Sequence, residues 1–246
     1  MSTPGSPHTG DELGAHLSPH AVPLRHALTW FEEALRLFKR GPGSWIGLAV
    51  LTMLAELAFQ LLPDPWPLLS TVVAPLVGCG LLLAAVAADR HMPPKLAYAW
   101  TAFRAPTHAV LAIVLASLVT WAAEALAAWW IADANLLVAH GDADDLTIAA
   151  RLGIYAIGVL ASLPVTFVPF HVLFEPVGLG EAFAASWEAF VLNTGPLLVY
   201  AGVSLLLLVF GMLTMSLGLV IVLPLWAASS YVAWRDVFAI PEPPPL

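Results

Sequence analysis

The sequence predicts an all-α, polytopic membrane protein with about six transmembrane helices. Hydrophobic residues make up 60% of the 246 positions and charged residues 11%, whereas soluble domains are about half apolar and a quarter charged. Several apolar runs also reach the roughly 20 residues that cross a hydrocarbon core about 30 Å thick. Because a soluble fold would not bury this much apolar surface, the lipid bilayer is the expected solvent and first partner.

The charge pattern argues against a polyanionic or strongly basic partner. The formal net charge is −8, but the acids are dispersed over the tail and loops, so we expect no nucleic acid to bind. The single cysteine, Cys79, lies in an apolar run, which excludes an intramolecular disulfide and offers no metal cluster. We therefore expect neither a metal nor a cofactor.

The two ends of the chain differ from the middle. Residues 1–22 lack the basic start and apolar stretch of a secretory signal, and we predict a disordered cytoplasmic tail there. A single membrane domain is expected over residues 23–238. Residues 239–246 are predicted to form a short tail, since their prolines do not continue a helix.

Six apolar segments have the length of a membrane span. They are Ser44–Leu62, Trp66–Ala88, Thr107–Ala132, Ile148–Phe174, Pro196–Met215 and Leu217–Arg235. The last two are nearly continuous and too long for one span, so we predict a tight turn within Gly211–Gly218. Prolines inside the even-numbered spans are expected to kink them, either as packing devices or as hinges: Pro75, Pro164, Pro169 and Pro224.

The basic residues predict the orientation of these spans. Cytoplasmic loops collect lysine and arginine, and all but one of the basic residues fall on one side of a six-span arrangement: Arg25, Arg36, Lys39, Arg40, Arg90, Lys95, Arg104 and Arg235. The opposite, acidic side has Arg151 as its only base. This pattern predicts a bacterial inner-membrane protein with both termini in the cytoplasm.

A short amphipathic segment precedes the first span. Apolar residues recur at spacings of three and four over Leu24–Arg40, which predicts a helix lying in the cytoplasmic interface. Residues 33–39 align without gaps with residues 98–104 and 185–191, which precede the third and fifth spans. The predicted unit is therefore an interfacial helix followed by a transmembrane hairpin.

This unit is predicted to occur three times, over residues 24–90, 94–175 and 179–236. Aromatic rings suit the headgroup layer of a bilayer. We expect interfacial anchoring by the large aromatic residues of the three segments: Trp30, Phe31, Phe38, Trp100, Phe103, Trp187 and Phe190.

Two acidic residues lie inside predicted spans. Glu56 is in the first span and Glu124 in the third, where an ionised carboxylate costs about 2.5 to 3.5 kcal/mol on insertion scales. One hypothesis is an outward-facing polar pocket, lined by both acids, that binds a proton, a cation or a cationic solute. The structural alternative is that the acids reach the interface or form an ion pair, with Arg151 as the nearest candidate partner.

A secondary candidate site lies at the end of the fourth span. His171 and Glu175 are four residues apart and share a helix face, which suits metal binding, proton relay or a capping pair. Two ligands alone do not make a metal site. The sequence has no Walker loop, no Gly-x-Ser-x-Gly elbow and no His-Glu-x-x-His motif. We therefore expect no catalytic residues and no enzyme.

Two motifs carry a resemblance to a known family. The segment Trp30–Arg40 leads into Ser44-Trp45, and the last span ends with Ser230–Phe238. Over residues 24–238 the chain resembles a family of uncharacterised bacterial six-helix integral inner-membrane proteins, in which a tyrosine is usual where Trp234 stands. The resemblance implies the fold and the location, and it carries no activity.

Two functions follow as hypotheses. The first is a non-enzymatic membrane component that contacts lipid or other membrane proteins through its three interfacial segments. The alternative is a small transporter or a proton- or cation-coupled permease that uses Glu56 and Glu124.

Overall fold

The computed structural model describes residues 18–63, 66–135 and 146–246, and within these ranges the chain is helical without strands. The α-helices are α1 His26–Lys39, α2 Pro42–Gln60, α3 Ser70–Asp89, α4 Thr107–Ala132, α5 Ile148–Ser162, α6 Val168–Phe174, α7 Leu179–Leu192, α8 Thr194–Leu213 and α9 Leu219–Val237. Short 3₁₀ turns cover Trp66–Leu69, Leu96–Trp100, Ala102–Arg104 and Leu163–Val165. The predicted all-α class is confirmed.

Five helical segments of the described chain are long and apolar enough to cross a membrane. They are Pro42–Gln60, Trp66–Asp89, Thr107–Ala132, Ile148–Val165 and Thr194–Leu213. The segment predicted as the sixth span forms helix α9, which is not among these five, because Ser229, Ser230, Arg235 and Asp236 make its second half more polar. The chain thus has the helices of a multi-pass membrane protein.

The predicted fourth span is not one continuous helix. Pro164 lies in the 3₁₀ turn that follows α5, and Pro169 lies in the first turn of α6. At those positions proline has no helical hydrogen bond to lose, so the chain breaks there instead of bending. Pro75 and Pro224, by contrast, lie inside the unbroken helices α3 and α9.

Helix α9 lies at the centre of the bundle. Ten of its 19 residues are buried, and it packs against α1, α2, α3 and α8. Its last turn carries the aromatic residues Tyr231 and Trp234, both at most 1% exposed, which stack around Phe170 of α6. Through these contacts α9, the last helix of the chain, packs the first three helices together with α6 and α8.

Helix α1 presents two apolar faces. Its buried face consists of Ala27, Trp30, Ala34 and Leu37, whereas the predicted apolar stripe is exposed at Leu24, Leu28 and Leu35. The prediction that Trp30 is an interfacial anchor is wrong, because its side chain is 1% exposed and its Nε1 donates a hydrogen bond to Asp236. The exposed leucines leave an apolar surface for the bilayer interface.

The residues just before α1 are held in place. The backbone nitrogen of His20 donates to Val237 O at 2.9 Å, and that of Val22 donates to Asn193 Oδ1 at 2.8 Å. Asn193 Nδ2 donates in return to His20 O at 3.0 Å. The last residues of the predicted tail are thus hydrogen-bonded to the end of α9 and to the residue between α7 and α8; residues 1–17 lie outside the described part of the chain.

A tight turn joins α8 to α9 where the sequence predicts it. Met215 and Ser216 adopt left-handed backbone conformations with φ of 53° and 67°. Ser216 N donates to Gly211 O at 2.9 Å, and Gly218 N donates to Thr214 Oγ1 at 2.8 Å. The side chains of the tip are apolar and strongly exposed at Leu213, Met215 and Leu217.

Candidate solute-binding pocket

The two acids predicted inside the membrane line one cavity. A space of about 520 Å³ lies between α2, α3, α4 and α9, and both Glu56 and Glu124 face it. The rest of its lining includes five hydroxyl side chains, from Thr52, Ser70, Thr71, Ser117 and Thr120, together with Trp121 and Trp226. Residues from four separate helices thus converge on one cavity that carries both acids and several hydroxyl groups.

The hydroxyl groups of this cavity are arranged as hydrogen-bond acceptors. Thr52 Oγ1 donates to Leu48 O at 2.9 Å, and Ser117 Oγ donates to Ile113 O at 2.8 Å, each within its own helix. Thr71 Oγ1 donates to Leu68 O in the same way, at 2.7 Å. Because each hydroxyl hydrogen is committed to a backbone carbonyl, the oxygen lone pairs remain available for a donor. Together with two carboxylates they favour a ligand rich in N–H groups.

The two carboxylates have different surroundings. Gln60 Nε2 donates to Glu56 Oε1 at 2.9 Å and lies 3.5 Å from Ser70 Oγ, so the amide orients one side of the Glu56 carboxylate. Among the residues that the structure describes, the Glu124 carboxylate accepts no hydrogen bond from a side chain or backbone group. An acid without a donor in a low-dielectric bundle is costly, so Glu124 is the group with most to gain from a bound cation.

Gly158 of α5 makes room for Glu124. A Cβ atom built on Gly158 would lie 2.1 Å from Glu124 Oε1 and 2.6 Å from its Cγ. Gly158 is buried, so the side chain of Glu124 runs directly over the backbone of α5. The position of this carboxylate therefore depends on a residue without a side chain.

Arg151 and Tyr155 lie on α5, the helix whose Gly158 contacts Glu124. Arg151, in the first turn of α5, donates from Nε to Leu146 O at 3.2 Å. Tyr155, one turn later, is close enough to Glu124, Arg151 and Glu56 to interact electrostatically with each of them. Of the three residues singled out as a candidate ligand or proton site, Glu56 and Glu124 line the cavity, whereas Arg151 is not among its lining residues.

His171 and Glu175 form a contact of a different kind. Their Nδ1 and Oε2 atoms are 3.2 Å apart, and the His171 ring, fully buried, packs edge-on against Phe238 at a centroid distance of 4.5 Å. No group of three or more His, Cys, Asp or Glu suited to a metal ion occurs within the described ranges. The pair lies in an aromatic cluster at the end of α6, away from the cavity that contains Glu56 and Glu124.

The remaining predicted anchors divide into exposed and packed side chains. Trp100, Phe103 and Trp187 are 56%, 41% and 57% exposed, and Trp187 contacts Phe190 at a centroid distance of 5.8 Å. Phe31 instead stacks on Tyr200 at 5.3 Å, and Phe38 packs beside Trp45. The second of the aligned segments is built of 3₁₀ turns and the third of helix α7, so the three predicted interfacial helices are not alike.

Helical spacing marks part of the cavity in the sequence. Thr52 and Glu56 are four residues apart on α2, and Ser117, Thr120 and Glu124 are three and four apart on α4, so each set shares one helix face. Adding these hydroxyls to the two acids identifies five of the 15 lining residues, or a third of the lining. Trp226 and Gly158 carry no such signal, because they meet the acids only through packing between helices.

Replacing Gly158 with alanine is expected to displace the Glu124 carboxylate. The new methyl group overlaps the glutamate side chain, and such overpacking costs about 1–3 kcal/mol. Thermal unfolding in detergent is the measurement, and we expect a lower unfolding midpoint. Gly202→Ala is the matched control, since nothing lies within 4 Å of a Cβ there. Equal behaviour of the two variants would contradict the packing argument.

Comparison of this chain with protein-family models, with curated proteins and with solved structures finds no match.

Proposed function

We propose that this protein is a six-span inner-membrane protein that binds a small, donor-bearing cation, such as an ammonium or guanidinium compound, in the Glu56–Glu124 cavity. The observation that carries the proposal is the convergence of two carboxylates from separate helices on one cavity lined by hydroxyl groups. Placing two acids together inside a membrane protein is costly without a compensating charge. A bound cation supplies that charge.

The size and chemistry of the cavity fit a small organic cation. Its volume of about 520 Å³ lies in the usual range of small-molecule sites. The hydroxyl groups of Thr52, Thr71 and Ser117 donate to nearby backbone carbonyls, so their oxygens remain available to accept hydrogen bonds from a ligand. Trp121 and Trp226 add aromatic faces, which attract cations. The expected ligand therefore has one positive charge and several N–H donors.

The proposed topology places α9 as the sixth span and both termini in the cytoplasm. Nineteen helical residues rise about 28 Å, close to the thickness of the hydrocarbon core. The tight turn after α8 returns the chain to the side of Arg235. At that side Arg40 NH1 donates to Ala88 O, so the start of α2 and the end of α3 meet among the basic residues. The rule that basic residues stay inside then sets the orientation.

The three-unit organisation has support in burial. Ala34, Ala99 and Ser186 occupy the same position of the aligned segments and are all fully buried. The following residue, Leu35, Trp100 or Trp187, is exposed in each segment. The three segments thus share one pattern, in which a small buried residue is followed by a large exposed one. Related interfacial segments are expected to share such a pattern.

Thermal unfolding of the purified protein in detergent tests the binding site. Guanidinium at millimolar concentration is the probe, since it carries one charge and N–H donors and denatures only at far higher concentration. We expect it to raise the unfolding midpoint of the wild type across pH 5 to 8, because a ligand at 100 times its Kd adds about 2.7 kcal/mol. Glu56→Gln and Glu124→Gln are expected to remove this effect.

Two controls make the result specific. Tetramethylammonium has the same charge without N–H donors and is expected to stabilise much less. Glu188→Gln removes an exposed acid of α7 that does not line this cavity and should leave the response unchanged. If guanidinium stabilises wild type and both cavity variants equally, or stabilises none of them, the binding proposal fails.

A second candidate function rests on the exposed aromatic pairs. The rings of Trp100 and Phe103 are 6.0 Å apart, those of Trp187 and Phe190 are 5.8 Å apart, and both tryptophans are more than half exposed. Such rings suit the lipid interface or another membrane protein. If contact through them is the function, Trp100→Ala with Trp187→Ala reduces lipid or protein co-purification, while the guanidinium response stays intact.

A further inference from the structure

Helix α9 lines three cavities in succession along its length. Leu223, Trp226 and Ala227 line the Glu56–Glu124 cavity, and Trp226, Ala227 and Ser230 line a second cavity of about 260 Å³. A third cavity of about 470 Å³ lies against the next turns of the helix, from Tyr231 to Asp236. At 1.5 Å per residue these positions span about 20 Å, or roughly two thirds of the hydrocarbon thickness.

The middle cavity repeats the chemistry of the outer one. Five hydroxyl side chains line it: Ser162, Thr166, Tyr200, Ser204 and Ser230. Ser162, Thr166 and Ser230 donate to backbone carbonyls of their own helices at 2.8 to 3.1 Å, which leaves their oxygens as acceptors. Hydroxyl acceptors thus line both cavities to which Trp226 contributes.

Two sets of side chains along these cavities are candidates for barriers: Trp226, and the group formed by Tyr231, Asp89 and Arg235. Trp226 belongs to the linings of both the outer and the middle cavity, and its buried Nε1 has no hydrogen-bond partner among the described residues. Nothing in the described structure therefore fixes its ring by a hydrogen bond. In the lining of the third cavity, Tyr231, which follows Ser230 on α9, donates to Asp89 Oδ2 at 2.8 Å, and Arg235 NH1 contacts the same oxygen.

The charges that line the third cavity also suit a cation. Its lining carries the carboxylates of Glu33, Asp89 and Asp236 and the ring of His26, which lies 2.8 Å from Asp236. Arg235 is the opposing charge, and it is held by Asp89 and by the carbonyls of Ile240 and Pro241. Acidic groups therefore stand at both ends of a series of hydroxyl-lined spaces.

We propose that α9 lines a translocation route for the donor-bearing cation, with Trp226 as the outer barrier and the Tyr231–Asp89–Arg235 group as the inner barrier. The proposal rests on the binding site proposed above and adds movement across the bundle. Pro224, two residues before Trp226, removes one backbone hydrogen bond from α9 and lowers the cost of bending at the outer barrier.

Cysteine labelling tests the route without a bound solute. In a Cys79→Ala background, Ser230→Cys is compared with Ser229→Cys, a neighbouring serine that is fully buried and lines none of the three cavities. The probe is a membrane-impermeant trimethylammonium methanethiosulfonate, added separately to each side of sealed vesicles. Thr166→Cys is a second cavity position should Ser230→Cys fold poorly.

The route predicts a clear order of labelling rates. We expect Ser230→Cys to react at least about tenfold faster than Ser229→Cys. Adding Trp226→Ala should raise the rate further from the side of Glu124 only, and Tyr231→Phe from the side of Arg235 only. Equal rates at the two serines, or no response to Trp226→Ala, would overturn the route. Guanidinium stabilisation that depends on Glu124 would still stand in that case, so failure of the route is distinguishable from failure of the binding site.

Discussion

Replacing Arg235 with alanine is expected to lower the free energy of unfolding by about 2–3 kcal/mol. The guanidinium contacts Asp89, and it donates to Ile240 O at 3.2 Å from Nε and to Pro241 O at 2.8 Å from NH2. Both charged side chains are about three-quarters buried. Removal of one partner leaves the other charge partly desolvated, and it also frees the carboxy-terminal tail from α9.

The measurement is a denaturing-detergent titration of the purified protein. Asp89→Asn, alone and with Arg235→Ala, completes a double-mutant cycle that isolates the pair. Arg36→Ala is the matched control, since Arg36 forms an i,i+3 pair with Glu33 at the surface, where such pairs contribute at most about 0.5 kcal/mol. If Arg235→Ala costs no more than Arg36→Ala, the network does not stabilise the bundle.

Asn193→Ala is expected to release the segment before α1. The asparagine is 1% exposed and accepts from Val22 N, while its Nδ2 donates to His20 O and to Ala189 O at 3.2 Å. Its loss leaves the buried Val22 N–H unpaired, at a cost of about 1–3 kcal/mol. We expect amide exchange at His20 and Val22 to speed up by at least about tenfold.

Hydrogen–deuterium exchange in detergent checks this prediction. Thr194→Ala changes the adjacent residue, whose hydroxyl bonds only to Phe190 O and Val191 O of the preceding helix. The segment at residues 20–22 should stay protected in this control. Unchanged exchange in Asn193→Ala would mean that packing of Val22, and not the asparagine, holds the segment.

The ends of some helices follow from the sequence and those of others do not. Helix α4 begins and ends at the predicted residues, Thr107 and Ala132, because Pro106 precedes it and Asp133, with φ of 53°, ends it. The predicted fourth span is predominantly apolar on both sides of Pro164 and Pro169, so its hydropathy does not reveal the break there. Proline inside an apolar run has two outcomes, a kink or a break, and packing decides between them.

The candidate site was predicted in part for a simple physical reason. A carboxylate in a membrane helix turns toward the protein interior, so a shared pocket for Glu56 and Glu124 was one of the two hypotheses that the sequence supported, beside an interfacial or ion-paired position. The role of Trp30 was missed because an indole suits both an interface and a buried contact with a carboxylate. Only its partner Asp236, 206 positions away, decides which environment it has.

The apolar turn between α8 and α9 has a consequence for how the chain enters the membrane. No acidic or basic residue lies between Thr194 and Trp234, and the exposed tip consists of Leu213, Met215, Ser216 and Leu217. Moving this tip through the hydrocarbon transfers no charge, so we expect the pair to insert as one preassembled hairpin. We expect a lysine introduced at Met215 to hinder this insertion and to leave α8 and α9 on the side of the membrane from which the hairpin enters.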